Sequence, residues 1–128
     1  MKDVNLRDYQ KKILSDLSCV PSIGLFMKTG SGKTITSLAR FEQNPTSNLL
    51  VICPQKIVSQ WWDVIEKHTD LKPCRYNLSW GSNKKDECIT NYLLDDNRRN
   101  YCVVVNFDII NKMDFDWAIN EDWTIIVD

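Results

Sequence analysis

Short aliphatic runs constrain the fold of this chain more than any other feature of the sequence. Aliphatic runs of four or five residues are typical of strands that are buried on both faces of a parallel sheet. Three of them end abruptly at a proline or a polar residue: residues 49–53 before Pro54, residues 101–105 before Asn106, and residues 124–127 before Asp128.

Helical patterns separate the aliphatic runs. Apolar residues recur at helical spacing in residues 6–17, 35–39, 57–65 and 89–93, and further short strands are expected at 22–26 and 75–80. Strands that alternate with helices predict an α/β fold with right-handed crossovers and a mainly parallel sheet. Ligands of such folds bind at the carboxyl ends of the strands, where Gly30, Asn106 and Asp128 would lie.

A glycine-rich loop follows the predicted strand 22–26. Residues 27–34 match the P-loop pattern G-x-x-x-x-G-K-[ST] at every fixed position except the first, where Met27 replaces glycine. The loop would direct its backbone N–H groups at phosphate oxygens, aided by the positive end of the following helix. The residues in these roles are Thr29, Gly30, Ser31 and Gly32, with Lys33 supplying a positive charge for the β- and γ-phosphates. The motif predicts binding of ATP with Mg²⁺.

Two oxygen ligands for Mg²⁺ can be suggested from the sequence. The hydroxyl of Thr34 is the first, and the carboxylate of Asp128, at the end of a neighbouring strand, is the second. Alternative interpretations remain open for both: an ordinary glycine-rich turn with a capping threonine, and a charged chain end in solvent.

Composition indicates a soluble globular chain, with 43% hydrophobic and 26% charged residues. The aliphatic runs are too short to cross a bilayer and no signal peptide is apparent, so we expect a cytoplasmic protein without a membrane partner. The five cysteines form no C-x-x-C pair and favour buried, reduced thiols. The net charge of −1 argues against strong nucleic-acid binding.

Several stretches together resemble the start of superfamily 2 helicases and translocases, particularly the Swi/Snf-like ATPases of bacteria and phages. These are residues 6–10, residues 24–27 running into the P-loop, residues 50–54 followed by Trp61 (similar to motif Ia), residues 103–107 (motif Ib), and residues 125–128 (the strand entering the Asp-Glu box). The resemblance implies a P-loop NTPase of RecA-like type, an incomplete three-layer sandwich. Residues 1–128 would form part of the first lobe, truncated at the Asp-Glu box.

The resemblance also implies roles for individual residues. Lys33 and Asp128 would be catalytic. Gln10 would read the adenine edge through its amide, with Arg7 close by. Pro54, Gln55, Asn106 and Phe107 would lie near the track of a DNA strand, with duplex DNA as the partner. Other interpretations of these residues are a solvent-facing helix position for Gln10, and a helix start and a strand end for the rest.

The position at which the sequence stops leads to two further expectations. The Glu after Asp128 and the second lobe with its arginine fingers are absent, so the chain should bind ATP but hydrolyse it poorly. The family's central strand is also absent. We therefore expect a rearranged sheet, a strand supplied by another chain, or marginal stability. The supplying chain would be a strand-exchanged second copy or the missing C-terminal part.

Some residues invite functional interpretations that the sequence does not favour. Trp61 and Trp62 follow a helical pattern that favours the core over base stacking. His68 stands at a helix end and is not expected to act as a general base. Lys84 and Lys85 alternate with acidic residues, as on a solvated face.

Two rival functions remain. A small P-loop kinase would need an arginine-rich lid and an acceptor pocket, neither of which is apparent in residues 80–128. A non-catalytic module derived from such a motor, binding ATP or a partner protein, is the second. Whether the parent protein separates strands or only translocates is not encoded in recognisable residues.

Overall fold

A computed structural model describes residues 6–16, 33–43, 48–94, 100–110 and 123–128. Five α-helices, one 3₁₀ helix and three strands lie in these ranges. In chain order they are α1 (Asp8–Asp16), α2 (Lys33–Gln43), β1 (Asn48–Ile52), the 3₁₀ helix Gln55–Ile57, α3 (Val58–His68), α4 (Ser82–Leu93), β2 (Cys102–Val105), α5 (Phe107–Ile110) and β3 (Trp123–Val127).

The three strands form one parallel sheet in the order β2-β1-β3. Ile52, at the end of β1, is in register with Val105 on one side and Val127 on the other. Because helices connect these parallel strands, the predicted α/β class is confirmed. The predicted strand 22–26 and the loop at 27–32 lie outside the described residues.

The core is centred on β1, β2 and α3. All four residues of β2 are fully buried, and most of β1 is also inaccessible to solvent. The helix α3 contributes Trp61, Trp62 and Ile65, each no more than 4% exposed. Their burial confirms the prediction that the two tryptophans belong to the core.

Residues 75–80 do not form the predicted strand. They belong to an irregular segment, residues 69–81, which lies beside the outer edge of β2. There Cys74 N donates to Cys102 O at 2.9 Å and the Tyr76 hydroxyl donates to Val104 O at 2.8 Å. Pro73 has no N–H, so it cannot add a bond to a ladder at this edge. The segment covers the edge of β2 without extending the sheet.

The irregular segment is attached to α3 by Arg75. Its guanidinium donates to Asp63 Oδ1 at 3.0 Å and to Glu66 Oε2 at 2.7 Å, and it stands 5.5 Å from the centroid of the Trp62 ring. The hydrogen bond from Arg75 lowers the pKa of Glu66. The exposed Arg75 thus attaches the irregular segment to α3 through two carboxylates and one aromatic ring.

The strand β3 is less buried than its aliphatic sequence predicts. Ile125 is 58% exposed and Val127 is 64% exposed, although both were expected in a strand covered on both faces. Ile125 and Val127 lie on the same face of β3, and that face is open to solvent. An outer position alone does not expose a strand, since β2 is also an outer strand of the described sheet and is fully buried. The expectation of a rearranged sheet, a strand supplied by another chain, or marginal stability stays a prediction.

The lysines at the start of α4 differ from each other. Lys84 is exposed with its ammonium 5.0 Å from the Trp80 ring centroid, whereas Lys85 is only 4% exposed and lies 5.6 Å from the Tyr76 ring centroid. The prediction of a solvated face is therefore wrong for Lys85. Its stem is covered and its charge faces an aromatic ring, an arrangement that a charge pattern alone does not reveal.

Candidate functional site

The three strands end side by side, and main-chain hydrogen bonds join their ends. Cys53 N donates to Val105 O at 3.0 Å, and Asp128 N donates to Ile52 O at 2.8 Å. The residues that follow the strands therefore share one border of the sheet, which we call the carboxyl edge. It consists of Cys53, Pro54 and Gln55 after β1, Asn106 and Phe107 after β2, and Asp128 after β3.

Asp128 is an exposed residue whose carboxylate is held by a side chain of α3. The indole Nε1 of Trp61 donates to Asp128 Oδ2 at 3.1 Å. Burial, with a smaller contribution from the charge of Asp128, raises the pKa of Cys53 to about 12. The thiol is thus protonated at neutral pH.

An amide pair links the ends of β1 and β2. Asn106 Nδ2 donates to Gln55 Oε1 at 3.1 Å, and Asn106 Oδ1 accepts a bond from Ile109 N at 3.2 Å, which caps α5. Gln55 Nε2 donates in turn to Leu78 O at 3.3 Å. These bonds place the turn that contains Leu78 beside the carboxyl edge.

The predicted nucleic-acid residues are brought together by this amide pair. Pro54 and Phe107 are the chain neighbours of Gln55 and Asn106, and Phe107 is 46% exposed. Asn106 is only 5% exposed and uses its amide for internal bonds, so it positions the others. The accessible surface here consists of Pro54, Gln55 and Phe107.

The helix α2 begins at Lys33, as the sequence predicts for the residue that follows the glycine-rich loop. Thr34 is half-buried in its first turn. The side chain of Lys33 and residues 29–32 lie outside the described part of the chain, so their predicted phosphate contacts stay predictions.

Gln10 joins α1 to α2. Its Oε1 accepts a bond from Arg7 N at 2.8 Å, and its Nε2 donates to Thr36 Oγ1 at 3.0 Å. Gln10 is 4% exposed and Thr36 is fully buried, so the alternative of a solvent-facing glutamine is wrong. The bond to Arg7 is the returning half of a capping box at the start of α1. The orientation of the Gln10 amide is thereby fixed relative to the helix that Lys33 begins.

Thr36, the partner of Gln10, and Trp61, the partner of Asp128, were not assigned functional roles from the sequence. Thr36 carries no motif signal, because a threonine in an amphipathic helix is commonplace. Trp61 fits the apolar stripe of α3, and its partner Asp128 is 67 positions away. Only the folded chain brings the indole N–H to the carboxylate.

His68, the last residue of α3, is 8% exposed and lies at a helix end as predicted.

Within the described residues, no group of three or more His, Cys, Asp or Glu side chains is arranged to hold a metal ion. The helices of these same ranges include none that is long and apolar enough to span a membrane.

A comparison with protein families gives a match over nearly the whole chain. The family model described as "Type III restriction enzyme, res subunit" matches residues 3–128, nearly the whole chain. The family is helicase-like and ATP-dependent, consistent with the N-terminal lobe of superfamily 2 helicases. A search of curated proteins found no match.

Proposed function

We propose that this chain, which belongs to the family of the type III restriction enzyme res subunit, is the ATP-binding portion of an ATP-dependent DNA helicase or translocase. The observation that carries the proposal is the carboxyl edge. One parallel sheet ends there in an exposed carboxylate, Asp128, and in an amide pair beside an exposed aromatic ring. Ligand sites of open α/β sheets occupy this border.

The phosphates of ATP would be bound at the start of α2. The backbone N–H groups of Thr29, Gly30, Ser31 and Gly32 would cradle them, and the ammonium of Lys33 would neutralise the β- and γ-phosphates. The positive end of the α2 dipole supports the same charge pattern. All of these groups stabilise negative charge by position, which is the main contribution of proteins to phosphoryl transfer.

The hydroxyl of Thr34 and the carboxylate of Asp128 fit Mg²⁺, which prefers oxygen ligands and keeps several of its waters. Asp128 is exposed at this edge, so the edge offers oxygen ligands that a metal ion can reach. Mg²⁺ bound there would neutralise charge on the phosphate oxygens.

Base selection is assigned to Gln10, with Arg7 beside it. An amide offers both a donor and an acceptor, the pair that distinguishes the adenine edge from that of guanine. The bonds to Arg7 N and Thr36 Oγ1 hold this amide in one orientation. A fixed orientation supports selection, because a freely rotating amide could satisfy either base.

The DNA contact is assigned to Pro54, Gln55, Asn106 and Phe107, with duplex DNA as the partner. Asn106 acts through Gln55, and the exposed Phe107 ring adds apolar surface. A net charge of −1 implies few neutralised phosphates, hence weak and salt-sensitive binding.

We place the motor among the Swi/Snf-like ATPases, in the cytoplasm of a bacterium or a phage-infected cell.

A second candidate function is an interaction module derived from such a motor. The observation that favours it is the exposure of Ile125 and Val127 on β3. Exposed β-branched residues on an edge strand are suited to pairing with another strand. A second copy of the chain or a further segment of the parent protein could supply that strand.

Titration of Mg·ATP into the wild type and Lys33→Ala tests the proposal. Lys67→Ala, which removes an exposed lysine from α3, is the matched control because it changes the net charge equally. Saturating ligand at about 100 times its Kd raises the free energy of unfolding by about 2.7 kcal/mol, so binding is also visible as a thermal shift.

We expect the wild type and Lys67→Ala to bind alike and Lys33→Ala to lose the saturable signal and the thermal shift. Equal binding by all three proteins, or none by the wild type, would contradict the assignment of the phosphate site.

A further inference from the structure

The side chain of Trp61 combines two environments. The residue is 2% exposed and packs in the core, yet its Nε1 reaches the carboxyl edge and donates to Asp128 Oδ2 at 3.1 Å. A buried indole N–H needs an acceptor, but packing alone does not require that the acceptor be a carboxylate at the carboxyl edge. The contact therefore indicates a role for Trp61 at Asp128 in addition to its packing in the core.

Trp62, the next residue on α3, provides the contrast. It is 4% exposed, and its Nε1 is buried without a hydrogen-bond partner among the described residues. Both indoles fill the same core from the same helix, but one N–H is used and the other is not. Burial and the contacts with Arg75 and Tyr76 account for Trp62, whereas Trp61 also has a partner at the carboxyl edge.

Two bonds define the position of Asp128. The main chain is fixed by Asp128 N donating to Ile52 O at 2.8 Å, and the side chain is fixed by the indole of Trp61. A carboxylate has two oxygens, and a donor on Oδ2 orients Oδ1 as well. Because the indole is held rigidly by the core, it can hold the carboxylate in one rotamer.

We propose that Trp61 is a positioning residue that orients the Asp128 carboxylate for Mg²⁺ in the nucleotide site. The inference rests on the proposed function, since it assumes that Asp128 is a ligand of the metal or of its waters. Trp61 itself touches neither nucleotide nor metal. Donors that hold a ligating carboxylate tune metal affinity, and their removal commonly costs 10–100-fold in that affinity.

The test compares Trp61→Phe with Trp62→Phe in the full chain. Each change removes the same atoms from the same core, but only the first removes a bond to Asp128. The first measurement is the Mg²⁺ concentration that half-saturates the gain in ATP affinity, together with ATP affinity in EDTA. We expect about a tenfold higher Mg²⁺ requirement for Trp61→Phe, and a change of less than about twofold for Trp62→Phe.

A second measurement needs no core substitution. The first comparison follows the indole ¹⁵N–¹H resonances of the wild type on addition of Mg·ATP. The second compares the resonances of the wild type with those of Asp128→Asn. The Trp61 signal is assigned from Trp61→Phe or, if that variant does not fold, from selective labelling. We expect the Trp61 indole resonance to move in both comparisons and the Trp62 resonance to stay in place.

Equal Mg²⁺ requirements for the two tryptophan variants, or a Trp61 resonance indifferent to Asp128→Asn and to Mg·ATP, would overturn this inference. If Lys33→Ala nevertheless abolishes ATP binding, the proposed function survives such a result. If Lys33→Ala binds ATP normally, the proposed function fails, and this inference fails with it.

Discussion

Val105 and Val127 stand in register with the same residue, Ile52, on opposite sides of β1. Val105 is fully buried, whereas Val127 is 64% exposed. The same amino acid at equivalent positions of a parallel sheet thus experiences two environments. The difference arises from what covers the two outer strands.

The two edges of the sheet explain the contrast. The outer edge of β2 is covered by the irregular segment, which bonds to Cys102 O and Val104 O. Among the described residues no strand pairs with the outer edge of β3. The side of the sheet around β2 therefore holds more of the described core, while the more open strand β3 carries Asp128. Stability and the proposed chemistry depend on different sides of β1.

The largest expected effect comes from the two valines themselves. Val105→Ala should lower the free energy of unfolding by about 2–3 kcal/mol, because it removes buried methyl groups and leaves a cavity. Val127→Ala should cost less than about 0.5 kcal/mol, as for most exposed positions. Urea denaturation of both variants measures the difference. Equal losses would show that β3 is covered to the same degree as β2, and the comparison would fail.

A smaller effect is expected at the covered edge. Tyr76→Phe removes the hydroxyl that donates to Val104 O, leaving a buried carbonyl without that partner, which should cost about 1–2 kcal/mol. The ring of Tyr76 still packs against Trp62, so hydrophobic burial is preserved. Unchanged urea stability of this variant would mean that the irregular segment does not protect the edge of β2.

The part of the fold that follows from local pattern was predictable. Residues 49–53 and 102–105 are apolar throughout, and helical spacing marks α3, so their buried positions follow from period and composition. The exposure of β3 was not predictable, because its sequence is equally aliphatic. Whether an outer strand is buried depends on the segments that pack against it, which no local window contains.

The irregular segment and Lys85 show the same limit. An apolar pattern at 75–80 predicts a strand, but Pro73 and the attachment of Arg75 to α3 decide otherwise. A charged residue in a polar run predicts exposure, but Lys85 lies over the Tyr76 ring. In each case a contact distant in sequence overrides the local preference.

For the candidate site, the sequence predicted which residues share an edge of the sheet better than how they are connected. The order of motifs predicted Asn106 and Asp128 at one edge, since strand ends of a parallel sheet converge there. It did not predict that Asn106 would be buried, that Gln10 would be bonded to Thr36, or that Trp61 would reach Asp128. Those bonds depend on helix placement across the sheet.

The central claim is that the end of the open strand β3 is the metal-binding part of a nucleotide site. Its most direct test is calorimetric titration of ATP into the wild type and Asp128→Asn, with Mg²⁺ and with EDTA. Asparagine keeps the shape of the side chain and an oxygen for the Trp61 indole, but removes the charge. We predict that Asp128→Asn loses about tenfold or more of the gain in ATP affinity that Mg²⁺ gives the wild type, because a ligand anion is missing. The same Mg²⁺-dependent gain in both proteins would contradict the account.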